Sequence, residues 1–259
     1  MKVLAGWLAA SALAAQTPYA ASIERWRQEH EAELRAEDGW LTLTGLVWLQ
    51  EGRNELDLGV FELRQGKVTY QPAPGAAAVE LRPDVPGPPD IRALGDQRFH
   101  IIRRGLRYGI RVRNVNHPQR REFHGLQWFP VQGSYRVRAR WIAHSQPKTI
   151  AIPNVLGDTE QRPSPGYAEF TLAGKPCRLE PVVDGKELFF IFRDLTSGQE
   201  TYPAGRFLYA AMPRDGVVEL DFNKAENPPC AFTPYATCPL PPPQNRLAVR
   251  VEAGERYRH

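Results

Sequence analysis

The sequence predicts an all-β protein, a mostly antiparallel sandwich or barrel of about ten strands preceded by one N-terminal helix. Three observations carry this expectation. Proline (24) and glycine (21) are both abundant in the 259 residues, and neither is tolerated inside helices. Short apolar or alternating runs recur along the chain after Gly39. Gly, Pro, Asn or Asp separates most of these runs, and there is no fixed-period repeat.

The chain opens MKVLAGWLAASALAAQ: one Lys, a run of small and apolar residues, and an A-x-A pattern at Ala12-Leu13-Ala14. This is the pattern of an export signal, assigned to residues 1–20, which leaves a single β-rich domain over 21–259. The apolar run is too short to span a bilayer, and no Cys follows it to take a lipid anchor. The expected location is therefore periplasmic or secreted, without a membrane span. The formal charge of +4 falls to +3 once Lys2 leaves with the signal, too small a charge to imply a nucleic-acid partner.

Residues 22–38 predict the helix, with Ser22 as N-cap and Ile23, Trp26 and Leu34 on one stripe. The β runs follow: WLTLTGLVWL, VFELRQGKVTYQ, RFHIIRRGLRYGIRVRNV, YRVRARWI, KTIAIPNV, YAEFTLAG, ELFFIFRD, RFLYAAM, GVVELDFN and RLAVRVEA. Two of them alternate strictly. Tyr135, Val137, Ala139 and Trp141 oppose Arg136, Arg138 and Arg140; Ile110 and Val112 oppose Arg107, Arg111 and Arg113. If these two strands are neighbours, six guanidiniums share one face, and solvent and salt, carboxylates or a bound anion must cover it.

Polar residues concentrate toward the C-terminal end. Leu188 to Phe192 reads as a strand buried on both faces, with Asp194 just beyond it. Val218, Leu220 and Phe222 alternate with Glu219, Asp221 and Asn223, which places two carboxylates and an amide on one face. Lys224 to Gln244 then holds two Pro before Cys230 and five after it. No regular ladder runs through such a stretch, and ordered loops of this length are often functional.

The runs DLTSGQETYPAGRFL, DFNKAENPPCAFTPYATCPLPPPQNRL and AGE, with the earlier GWLTLTGLVWL, REFHGLQWFP and YRV, resemble the family called domain of unknown function 1684. The resemblance covers nearly the whole mature chain and implies a common fold but no activity. It implies recurrent polar positions at Asp194, Thr196, Ser197, Thr201, Tyr202, Arg206, Asp221, Asn223, Asn227, Cys230, Cys238, Asn245 and Glu255. Glu226 departs from it, standing where the family places an aromatic residue.

Several chemistries are open to these residues. Cys230 and Cys238, bracketed by Pro, read first as a disulfide closing the loop in an oxidising compartment; a metal or redox pair and two separate buried thiols are the alternatives. The six His form no H-x-H, no H-E-x-x-H and no short Cys/His cluster, so no metal site is expected. Ser197 lacks a G-x-S-x-G elbow and a neighbouring base. Phosphate-cradling Gly loops are absent, and no cofactor is expected. Asp194, Asp221 and Glu255 are the candidate acids or bases of a hydrolase, with an ion-pair network through Arg193 and Arg206 as the structural alternative.

The function expected first is binding of a small polar or anionic ligand in a β pocket lidded by residues 224–244. Ser197, Tyr202, Arg206, Asp221, Asn223, Asn227 and Asn245 would supply the contacts. A hydrolase using the same segment and a structural role in the envelope are the other readings. Convergence of these side chains on one concavity would mark a site; bonds to the loop backbone would mark a brace.

Overall fold

The computed structural model describes residues 17–257. The assigned export signal lies outside the described residues up to position 16. Helix α1 (Pro18–Arg35) begins earlier than the charge pattern suggests: Thr17 is its N-cap, accepting a 3.2 Å bond from the Ala20 amide, and Pro18 takes the first turn, where its missing N–H costs nothing. Ser22 is instead inside the helix and donates back to the Tyr19 carbonyl at 2.7 Å. Ile23, Arg27 and Leu34 form the buried face. No described helix is long and apolar enough to cross a membrane.

The strands that follow are β1 (Leu43–Trp48), β2 (Gly52–Leu56), β3 (Gly59–Arg64), β4 (Lys67–Gln71), β5 (Val79–Leu81), β6 (Arg92–Leu94), β7 (Gln97–Arg104) and β8 (Arg107–Asn114). A one-turn helix α2 (Pro118–Arg121) leads to β9 (Arg136–Pro153), β10 (Thr159–Leu172), β11 (Lys175–Leu179), β12 (Val182–Asp184), β13 (Glu187–Phe192), β14 (Arg206–Ala211) and β15 (Val217–Asp221). They form four open sheets, ordered β1-β8-β7-β6, β2-β3-β4-β5, β11-β10-β9-β15 and β12-β13-β14, and among the described residues none closes into a barrel. Every neighbouring strand pair is antiparallel, in line with the mostly antiparallel expectation.

Two runs read separately in the sequence merge into the long β9, and its partner β10 passes through Pro163 and Pro165. The register shifts between Ser164 and Gly166. Such a bulge leaves a residue unpaired, which is where a missing donor is tolerated. A Cβ on Gly166 would come within 2.3 Å of the Ile142 carbonyl oxygen, so the ladder closes there only on glycine.

The alternation of β9 is as read, with Ala139 buried and Tyr135, Val137 and Trp141 packed on the same core. The shared face of six arginines does not form, because β8 and β9 belong to different sheets. Arg136 pairs with Glu219 at 3.0 Å and Arg140 with Glu169, while Arg111 is buried over Trp40. Strand β13 is covered on both faces: Leu188, Phe190 and Phe192 enter one core, Phe189 and Ile191 another that holds Ala236 and Cys238 of the Pro-rich loop.

The last run, RLAVRVEA, alternates as a strand would, with Leu247, Val249, Val251 and Ala253 buried, but it is not one. The Val251 and Ala253 carbonyls accept from the Arg206 guanidinium instead of from a neighbouring strand.

Candidate functional site

The polar residues of the C-terminal segment mostly face the chain itself. Asp194 and Arg206 form a buried ion pair at 2.6 Å; the second oxygen of Asp194 accepts from the Thr196 amide and hydroxyl, and Thr196 bonds Thr201. Asn245 donates to the Glu180 and Ile191 carbonyls at 2.8 and 3.0 Å and accepts from the Glu180 amide at 2.8 Å, replacing strand pairing with side-chain bonds. The Ser197 hydroxyl accepts from the Asp194 amide, and the Tyr202 hydroxyl donates to the Cys230 carbonyl at 3.1 Å.

Asp221 and Asn223 meet at the start of α1. The Tyr19 hydroxyl donates to Asp221 at 2.8 Å, while Asn223 donates to that hydroxyl and to the Gln132 carbonyl, each at 2.9 Å. Among the expected contact residues, Asn227 alone lines the principal cleft.

That cleft, of about 670 Å³, opens between α1 and the first part of the Pro-rich loop. Trp26, Glu29, His30 and Glu33 line it from α1, at the i, i+3, i+4, i+7 spacing of one helical face. Lys224, Glu226, Asn227, Pro229 and Phe232 line it from the loop, and Trp40, Glu187 and Tyr209 complete the wall. The chain positions Glu226 rigidly: its amide and carbonyl exchange hydrogen bonds of 3.0 and 2.9 Å with Phe207 at the head of β14.

On the wall of the cleft a histidine sits between two glutamates. His30 Nδ1 lies 3.3 Å from Glu226 Oε2, and His30 Nε2 lies 3.8 Å from Glu255 Oε2. Glu255 is 1% exposed and held at both oxygens by 2.8 Å bonds from the Asn227 amide and side chain. Gly254 sets its approach with φ +77°; a Cβ there would stand 2.3 Å from the Ala225 carbonyl oxygen. The imidazole stacks on Trp26 with ring centroids 5.3 Å apart and meets the edge of Trp128 at 6.0 Å.

Burial pushes the Glu226 carboxyl up to about 7, with His30 opposing the rise and Glu255 and Glu33 adding to it. Burial alone would lower the His30 imidazolium, but the neighbouring carboxylates of Glu255, Glu226 and Glu33 raise it above the ordinary histidine value. A carboxyl raised to about 7 thus stands beside an imidazole, an arrangement suited to acid–base chemistry.

Sequence reasoning passed over both groups. His30 carries no motif, and Glu226 stood out only by departing from a family pattern. Trp26, read with Ile23 and Leu34, belongs instead with His30 and Glu33 to a second stripe of α1 that lines the cleft, while Arg27 takes its place on the buried face.

The loop brings Cys230 and Cys238 together without the disulfide expected from their spacing: all three cysteines are free thiols, and the Cys230 amide donates to Cys238 Sγ at 3.1 Å. No group of His, Cys, Asp and Glu among the described residues could hold a metal ion.

An uncharacterized protein of Haloarcula marismortui, solved by solution NMR, is 34% identical over 53% of this chain and 79% of its own, with a TM-score of 0.45. No curated protein matches. The family model for the protein of unknown function DUF1684 matches residues 121–256, from the end of α2 through Arg256, and the chain belongs to that family.

Proposed function

We propose that the protein binds a small polar ligand carrying a positive charge in the cleft between α1 and the 224–244 loop, and that it does so outside the cytoplasm, as its N-terminal sequence suggests. The observation that carries this reading is the lining: Glu29, Glu33, Asp38, Glu187 and Glu226 face the cleft against Lys224 and His30. Trp26, Trp40 and Tyr209 stand among these carboxylates. Carboxylates recognise a cation by charge, and aromatic faces attract it through their quadrupoles. The surplus of acid favours a cation over the anion considered from the sequence.

The His30–Glu226 contact supports a second reading, a hydrolase in which Glu226 and His30 exchange the proton and Glu255 orients the imidazole. That reading places the acid–base work on Glu226, one residue from Asn227, and leaves Asp194 and Asp221 as anchors.

Tryptophan fluorescence tests the binding reading, since Trp26 and Trp40 line the cleft. Choline and 1,3-diaminopropane should quench saturably, with weaker binding at high salt and in Glu226→Gln; glucose and succinate serve as neutral and anionic controls. A response to succinate alone, or to none of the four, would overturn it. Export is tested by fractionating cells that express the full chain, and protein retained only in the cytoplasm would refute it.

A further inference from the structure

Arg111 is a buried cation without a counter-charge of its own. It is 6% exposed, lies over Trp40 at 5.2 Å, and its Nε has no hydrogen-bond partner among the described residues. Asp84, which acts on it, is engaged with Arg104 at 2.9 Å. Burial and the neighbouring Arg104 and Arg113 lower its pKa to about 10, and burial with Arg111, Arg113 and Arg104 depresses nearby His100 to about 4. A desolvated positive site of this kind favours an anion beside it.

The groups placed to supply that anion are the two loop thiols. Arg111 acts on both Cys230 and Cys238, and the two thiols act on each other. The Cys230 amide donates to Cys238 Sγ at 3.1 Å. Cys230 is half-buried and Cys238 buried, so Cys230 is the one a reagent meets first. Pro228 and Pro229 start the short 3-10 turn carrying Cys230, and the Tyr202 hydroxyl holds its carbonyl, so the sulfur is fixed in place.

We propose that Cys230 and Cys238 form a reactive dithiol, with Cys230 as nucleophile toward low-molecular-weight disulfides and Cys238 as the resolving thiol. The Cys230 thiolate attacks one sulfur of the small disulfide, forming a mixed disulfide and releasing the first small thiolate. Cys238 loses its proton to solvent and attacks the Cys230 sulfur, breaking the mixed bond and releasing the second thiolate. The protein loses two electrons and two protons, and the small disulfide becomes two thiols. The neighbouring thiol and the Arg111 charge lower the Cys230 thiol from its ordinary value, which raises the fraction present as the attacking thiolate. The product would tie Pro229 and Phe232, which line the cleft, to the strand-covering part of the loop.

The test uses the full chain and oxidised glutathione, followed by acid quench and intact mass. The expected product has lost two hydrogen atoms, carries no glutathione, and maps to a Cys230–Cys238 link. In Cys238→Ser the reaction should stop with one glutathione on Cys230. Iodoacetamide labelling of Cys230 in the unaltered protein should reach half its plateau below the ordinary thiol value. Arg111→Met should slow it roughly tenfold and Arg111→Lys restore most of the rate. A stable glutathione adduct on the unaltered protein, no reaction at all, or a labelling midpoint at or above the ordinary thiol value would overturn the proposal. The last measurement needs no variant and so stands if Arg111→Met fails to fold.

Discussion

Replacing Glu226 by Gln should stabilise the protein at alkaline pH and leave it unchanged in acid. An acid whose folded pKa exceeds its unfolded one is held protonated by the fold, so its ionisation subtracts from stability as pH rises. For Glu226 that loss begins near the ordinary value of 4.5 and is complete above about 7. At about 1.4 kcal/mol per tenfold step, the interval sets a ceiling of roughly 3 kcal/mol. His30 moves the other way on substitution: its raised pKa contributes stability that is present in acid and lost through its folded value, and part of that rise comes from Glu226. The His30 contribution fades as pH rises and Glu226 is largely uncharged near pH 4, so the net gain approaches the ceiling of roughly 3 kcal/mol near pH 8 and falls to nothing near pH 4. Urea denaturation of both proteins, followed by far-UV circular dichroism at several pH values, reads the difference as a separation of midpoints that opens with pH. Midpoints that stay parallel across the range would show that Glu226 ionises as freely in the folded chain as in the unfolded one, and the proton-exchange reading of the cleft would fail with it.

Three substitutions test the braces behind the cleft. Asp194→Asn leaves the Arg206 guanidinium buried against a neutral partner and should cost about 3 to 5 kcal/mol in urea titration; a cost below about 1 kcal/mol would mean that the pair is not shielded from water. Asn245→Ala strips partners from both backbone groups of Glu180 and from the Ile191 carbonyl, and a loss of about 2 to 4 kcal/mol by thermal unfolding is expected. Gly254→Ala forces a side chain into left-handed backbone against the Ala225 carbonyl; it should destabilise by at least about 1 to 3 kcal/mol and shift the pH titration of Trp26 and Trp128 fluorescence. An unshifted titration would separate Glu255 from the aromatic cluster.

The sequence disclosed what periodicity controls. The alternation in residues 135–141 and 218–222 gave the correct inward faces, and the continuous run at 188–192 gave a strand covered on both sides. It misled where a local pattern had a non-local cause. Leu247 to Ala253 alternates because one side packs on the core, yet two of its carbonyls, those of Val251 and Ala253, are taken by a single arginine from β14. The arginine alternations of β8 and β9 look alike, but the strands lie in different sheets, so one set meets carboxylates and Arg111 is buried without one. The cleft was harder still, since its walls come from residues 26 to 40 and 187 to 232 and meet only when the C-terminal segment is in place.

That dependence joins the polar segment to the cleft. Asp194 fixes Arg206; Arg206 holds the carbonyls of Val251 and Ala253; Gly254 then turns the chain so that the Glu255 amide meets the Ala225 carbonyl at 2.7 Å. Glu255 reaches His30 only at the end of this series, and Asn227, fixed by Glu255, holds the loop beside Glu226. The residues that looked like a binding site are thus spent on placing two that did not. If so, damage at Asp194 should be felt at His30 before the fold is lost: in Asp194→Asn, the His30 imidazole proton signals should titrate closer to the ordinary histidine value, under conditions where circular dichroism is still native. An unchanged His30 titration in a natively folded Asp194→Asn would cut the series, and Glu255 would then owe its position to Gly254 and Asn227 alone.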